Sequence, residues 1–209
     1  MKAQNPMYPN FMDKNNGSFN VFNTTLDNLY KKLRSEGIGS ASKHTEGISK
    51  EEEDQLWSSG VLNTTIPLGL LRAVFFYNGK CFCLRGGQEH RDLKLSQLKR
   101  ETGPDRYIYT ENSSKNRKGG LRELRLEHKA VPVMADPEAG VRCHVYLLDL
   151  YIRKLPSEAN MKDLFYCRLL QKTSSELQPW YSAVPIGRNM LNQMVALMCE
   201  TAGISGKKN

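Results

Sequence analysis

The chain has 209 residues, with 30 Lys and Arg against 22 Asp and Glu, a formal net charge of +8 and a pI near 9.2. That length suits one medium-sized domain with a small appendage, and 39% hydrophobic residues suffice for a packed core. No apolar run approaches the ~20 residues of a membrane span, and Met1 to Asn20 lacks the apolar stretch of a signal peptide, so neither a membrane partner nor a secretory leader is expected.

Met1 to Gly17 reads as a loose tail, rich in Asn, Pro and Gly. Val21, Phe22, Leu26, Leu29, Tyr30 and Leu33 then recur at helical spacing until Gly37, and a Ser/Gly-rich linker runs to Gly47. Ser49-Lys-Glu-Glu52 has the form of a capping box and predicts a short acidic helix to Ser58, with Leu56 and Trp57 facing inward. A further helix starts near Pro67, buries Leu68, Leu71, Val74 and Phe75, and should end or bend at Asn78-Gly79. Leu93, Leu95 and Leu98 lead toward a sheet whose strands are expected at 106–111, 121–126 and 130–134, with a polar loop over 112–120. Val145 to Ile152 is a predicted helix, 164–170 reads as either strand or helix turn, and Trp180 to Gly187 reads as an aromatic loop. Arg188 to Ala202 predicts a last helix with Met190, Leu191, Met194, Leu197 and Met198 inward. The fold class is therefore mainly α with a small antiparallel β-sheet (α+β). Residues 1–47 are read as a tail, helix and linker left from a preceding helical domain, and 48–209 as the main domain.

Five cysteines, an odd number set mostly in apolar sequence, read as reduced buried thiols. Their spacing fits none of the usual zinc patterns, so neither a metal nor a cofactor is expected. The positive charge is concentrated: residues 85–129 hold twelve Lys and Arg against seven Asp and Glu. Such a segment fits a polyanion.

Within it, Cys83-Leu-Arg-Gly-Gly-Gln-Glu-His-Arg-Asp92 places Arg85 at a glycine-flanked bend between two helical segments. An arginine held there is poised for an anion, and its structural alternative is an ion pair with Glu89 or Glu111. A basic turn, Lys115-Asn-Arg-Lys-Gly-Gly120, offers further cations in Lys115, Arg117 and Lys118. His90 and Arg91 read either as a DNA-contacting pair or as the exposed side of a helix. Trp180-Tyr181 reads either as a base-stacking pair or as a loop anchored on the core.

Leu84-Arg-Gly-Gly-Gln-Glu-His-Arg91, Ser114-Lys-Asn-Arg117, and Trp180-Tyr181 with Pro185-Ile-Gly187 resemble the recombinase-derived domain at the C-terminus of MYM-type zinc-finger and QRICH proteins, which looks like a descendant of Crypton transposon enzymes. The resemblance runs from about Phe19 to Asn209. It implies a tyrosine-recombinase catalytic-domain fold, C-terminally truncated, in which arginines clamp the non-bridging phosphate oxygens, a β-turn lysine protonates the leaving oxygen and a tyrosine attacks phosphorus. By that resemblance Arg85 matches the first arginine and Lys115 the lysine, with Lys118 as second choice. Glu89 falls four residues after Arg85, where the family's acid falls at three. The second arginine with its histidine, and a tyrosine after the last helix, are not in the sequence.

The expectation is thus a vestigial catalytic pair, Arg85 and Lys115. The DNA-contacting set is Arg85, His90, Arg91, Lys115, Arg117 and Lys118, acting on a duplex phosphate backbone. The resemblance implies a nuclear, transcription- or chromatin-related module that does not itself cut DNA, with possible nuclear protein partners. A fragment of an active Crypton-type recombinase, serving DNA integration and recombination, and a protein-interaction scaffold are the alternative readings.

Overall fold

The computed structural model describes residues 17–38, 46–111, 130–171, 179–206 and 208. The chain divides into two units, Met1–Thr45 and Glu46–Asn209. In the first, a 3-10 turn leads into helix α1 (Asn20–Ser35), whose polar side carries an i,i+4 pair between Lys31 and Asp27.

The second unit begins with helix α2 (Lys50–Ser58), and both halves of its capping box are made. Ser49 Oγ accepts from the Glu52 amide at 3.2 Å, and the Glu52 carboxylate accepts from the Ser49 amide at 2.9 Å. Leu56 is fully buried and Trp57 half-buried. Helix α3 (Pro67–Phe82) starts with Pro67 in its first turn, where a missing N–H costs nothing. It does not stop at Asn78-Gly79. Asn78 is completely buried with its amide bonded on both sides, so tertiary partners outweigh the poor helix propensity of the pair.

After α3 the chain turns into helix α4 (Gly86–Asp92), then through a 3-10 turn into strand β1 (Leu98–Thr102). Strand β2 (Asp105–Thr110) and strand β3 (Ala130–Met134) complete an antiparallel sheet of order β1-β2-β3. β1 is Leu-Lys-Arg-Glu-Thr, with no apolar alternation to announce it. Charge pairing holds it instead: Arg106 and Lys99 bind Glu101, while Arg100 binds Asp105 and Asp149. The strand expected at 121–126 and the loop before it lie outside the described residues.

Helix α5 (His144–Arg153) and the short helix α6 (Ser157–Met161) precede strand β4 (Cys167–Leu169), which pairs antiparallel with strand β5 (Tyr181–Pro185). The ambiguous 164–170 segment is therefore a strand at its centre, and the expected aromatic loop at 180–187 is mostly strand. Trp180 and Tyr181 anchor it: Tyr181 is fully buried and donates to the Pro67 carbonyl at 2.8 Å, and the Lys154 ammonium sits 4.3 Å from the Trp180 ring centre. Helix α7 (Arg188–Ala202) buries Leu191, Met194 and Met198, but leaves Met190 and Leu197 exposed. The inward stripe is narrower than its apolar residues suggested. The architecture is α+β, helices with two small antiparallel sheets.

The cysteines are free; Cys143, Cys167 and Cys199 are buried, Cys81 is half-buried and Cys83 is exposed. Cys83 departs from the buried-thiol expectation because it ends α3 in a left-handed conformation, which turns it outward.

At the centre runs a chain of buried polar groups. His144 Nε2 donates to Asn78 Oδ1 at 2.8 Å, Asn78 Nδ2 donates to the Tyr166 hydroxyl at 2.8 Å, and that hydroxyl is hydrogen-bonded to His90 Nδ1 at 2.9 Å. The His90 ring stacks on Phe75 with centroids 3.9 Å apart. Burial disfavours the imidazolium and lowers both histidines to about 3. An unfolded chain takes up protons on these rings below about pH 6.5 whereas the folded chain does not, so stability is full above that pH and declines as pH falls toward 3. Denaturant titrations should show a loss of about 2 kcal/mol per histidine between pH 7 and pH 5, above the range where most carboxylates titrate. His90→Gln should flatten that profile by roughly half; an unchanged slope would mean that His90 takes up a proton in the folded chain.

Candidate nucleic-acid interface

Arg85 lies where α3 hands over to α4. Cys83 has φ 57° and Gly86 has φ 57°, so the chain reverses within four residues. Arg85 between them is extended (φ −106°, ψ 122°) and occupies the N-cap of α4. Its backbone amide donates to the Glu89 carboxylate at 2.5 Å. Glu89 thus caps the backbone from one turn ahead, where a negative charge suits the helix start. The Arg85 side chain is exposed, and among the described residues no carboxylate forms an ion pair with it.

Helix α4 is pressed against α7. The Gly87 amide donates to Asn192 Oδ1 at 2.6 Å, and a Cβ on Gly87 would sit 2.7 Å from the Arg188 carbonyl and collide with the Asn192 side chain. Only glycine permits this approach. Next to it, Arg188 Nη1 donates to Gln88 Oε1 at 3.2 Å, and Gln88 Nε2 donates to both Asp92 oxygens at 2.8 Å. Gln88 and Asp92, spaced i and i+4, share one side of α4, and Arg85 is the residue that caps its start. A second guanidinium, Arg188, is thereby held against the first turn of α4. It was not among the residues picked from sequence. The signal was present in its position: a cation on the first residue of a helix faces the positive end of the macrodipole, which disfavours it unless something else holds it.

The other expected residues separate. His90 is 3% exposed, stacked on Phe75 and bonded to Tyr166, so it belongs to the core and cannot touch a duplex. Arg91, on the next position of α4, is half-buried and lines a cleft with Lys94 and Lys162. Trp180 and Tyr181 are buried and offer no stacking face. Lys115, Arg117 and Lys118 lie outside the described residues, as does any approach of Lys115 to Arg85.

Charge is unevenly available across the unit. Lys80, Lys99, Arg100, Arg106, Arg142 and Lys208 are each paired with a carboxylate. Among the described residues Arg85, Arg91, Lys94 and Arg188, on or beside α4, form no ion pair. The cations free to meet an external anion therefore include a group centred on the α3–α4 bend and the α4–α7 seam.

Comparison with known proteins identifies the domain. The family described as domain of unknown function DUF3504 matches residues 47–200, about three quarters of the chain, and the chain belongs to it. The human zinc finger MYM-type protein 3 is 29% identical over 164 residues, covering 71% of this chain and 12% of that protein. The human transcriptional regulator QRICH1 is 29% identical over 152 residues, 68% of this chain and 19% of that protein. The mouse zinc finger MYM-type protein 2 is 27% identical over 177 residues, 78% of this chain and 13% of that protein. The chain thus spans less than a fifth of the length of these relatives. No solved structure matches it significantly.

The α4–α7 seam makes a prediction whose sign is diagnostic. By helix propensity alone, Gly87→Ala would stabilise the domain by up to ~1 kcal/mol. With a methyl driven into Asn192 and the Arg188 carbonyl, it should destabilise it by about 1–3 kcal/mol. A denaturant midpoint equal to or above that of the parent chain would show that the two helices part easily.

Proposed function

We propose that this DUF3504 domain is a recombinase-derived, catalytically incomplete DNA-binding module of transcription- or chromatin-related nuclear proteins. It holds duplex phosphates with Arg85 as the central contact and Arg188 beside it. The observation that carries this reading is the exposed guanidinium of Arg85, which forms no ion pair among the described residues and is mounted on a backbone that Glu89 caps and the α4–α7 seam holds. A planar fork of this kind binds two phosphate oxygens at once, and a rigid mount limits the entropy lost on binding.

Two further points support it. The relatives include a protein named as a transcriptional regulator, which favours a role in transcription and a nuclear location. Of the tyrosines late in the chain, Tyr181 is committed to the core with its hydroxyl given to Pro67, and burial raises its pKa well above the usual range. It is unsuited to attack a phosphodiester, which fits binding without cleavage by these residues.

Binding of a fluorescent duplex by the 209-residue chain, followed by anisotropy across a salt series, tests the reading. Affinity should fall steeply between about 50 and 200 mM salt, with a log–log slope of roughly −0.9 for each phosphate engaged. Arg85→Ala should weaken binding roughly five- to tenfold and reduce the slope by about 1, with thermal stability unchanged because the side chain is exposed. Arg188→Ala should act in the same direction. Absence of binding at the lowest salt would remove the DNA reading and favour a protein-interaction scaffold.

A further inference from the structure

Beyond Arg85, the far end of α4 opens into a cleft of about 310 Å³. Its lining mixes apolar residues with the charged residues Arg91, Lys94, Lys162, Asp92 and Asp163. The two acids are already engaged by neutral donors. Asp92 accepts from Gln88 with both oxygens near 2.8 Å, and Asp163 accepts from the Ser96 amide at 2.8 Å and the Ser96 hydroxyl at 2.7 Å. Asp163 adopts φ 53°, a conformation that Asp tolerates better than most residues and that Ser96 pins in place. The cations are differently placed. Arg91 and Lys94 form no ion pair among the described residues, and Lys162 makes one long contact, 3.5 Å to the Ala183 carbonyl.

We infer that this cleft is a second phosphate-binding station, and that a nucleic-acid strand runs along α4 from Arg85 to the cleft. The inference rests on the DNA reading above and extends it to residues that reading does not use. Continuity carries it. Helix α4 has Arg85 as its N-cap and ends at Asp92, which lines the cleft with Arg91, so the Arg85 bend and the cleft lie at the two ends of one short helix. The seven residues of α4 rise about 9–10 Å at 1.5 Å each, roughly the axial rise of three nucleotides of one strand. An isolated acidic peptide would also suit three cations, but it would leave the alignment with Arg85 without a purpose.

The test uses the whole chain. Lys94→Ala/Lys162→Ala should weaken duplex binding about tenfold and reduce the salt slope by about 1.8, from two lost charges at ~0.9 each. The charge-preserving Lys94→Arg/Lys162→Arg should bind as the parent does. As a readout independent of any variant's folding, a saturating duplex should slow acetylation of Lys94 and Lys162 several-fold. If the parent binds duplex and Arg85→Ala weakens it as expected, while the double alanine variant binds normally or the two lysines stay unprotected, the second station is wrong and the DNA reading survives. Protection of both lysines by a glutamate-rich peptide and not by duplex would likewise overturn it and assign the cleft to a protein partner. A parent chain that binds no duplex at any salt overturns both.

Discussion

Four side chains from separate segments meet in three hydrogen bonds inside the core: His144 opening α5, Asn78 within α3, Tyr166 ahead of β4, and His90 in α4. Around them lie Phe75, Phe82 and Tyr77, whose rings stack or tilt against the two imidazoles. Polar groups in such a place are costly unless satisfied, and satisfied ones allow few alternative packings. Helix α4 has only seven residues and little helical stability of its own. It is fixed at one point by His90 in this network and at another by Gly87 against α7. Arg85 inherits its position from both.

The electrostatics follow from the same arrangement. The positive segment 85–129 does not present all of its charge outward. Lys99, Arg100 and Arg106 are drawn into the pairs that hold the charged strand β1 and join it to Asp149 on α5. Net charge counted along a sequence therefore overstates what a ligand meets. Around α4 the acids cap backbone or accept from amides and hydroxyls, as Glu89, Asp92 and Asp163 do, and the neighbouring cations stay available.

Much of this was legible in the residues themselves, where one local rule acts alone. The Ser49–Glu52 box, Pro67 at a helix start, the period of α5 and the alternation of β2 each reflect short-range chemistry. What could not be read depended on partners distant in sequence. Asn78-Gly79 looks like a helix end until Tyr166 and His144 are placed around it. His90 and Arg91 look alike as surface residues, and only the packing of α4 on Phe75 sends one inward. β1 has no apolar signature because ion pairs hold it. Arg188 reaches Gln88 across a hundred residues, a separation no spacing argument spans. The basic turn around Lys115, for which the sequence made its most specific suggestion after Arg85, lies outside the described residues.

The buried chain has a sense of travel as well as a shape. Its middle is directional: the Asn78 oxygen receives from His144, and the Asn78 nitrogen gives to the Tyr166 phenol, which is bonded in turn to His90. An amide is suited to that middle position because it carries an acceptor at one end and a donor at the other. A carboxylate at position 78, nearly the same size, would present oxygen to both neighbours. The phenol would lose its donor, and the hydrogen bonding that ties it to His90 at the root of α4 would have to rearrange. One atom's identity in the interior would thus decide how firmly an arginine is held on the surface.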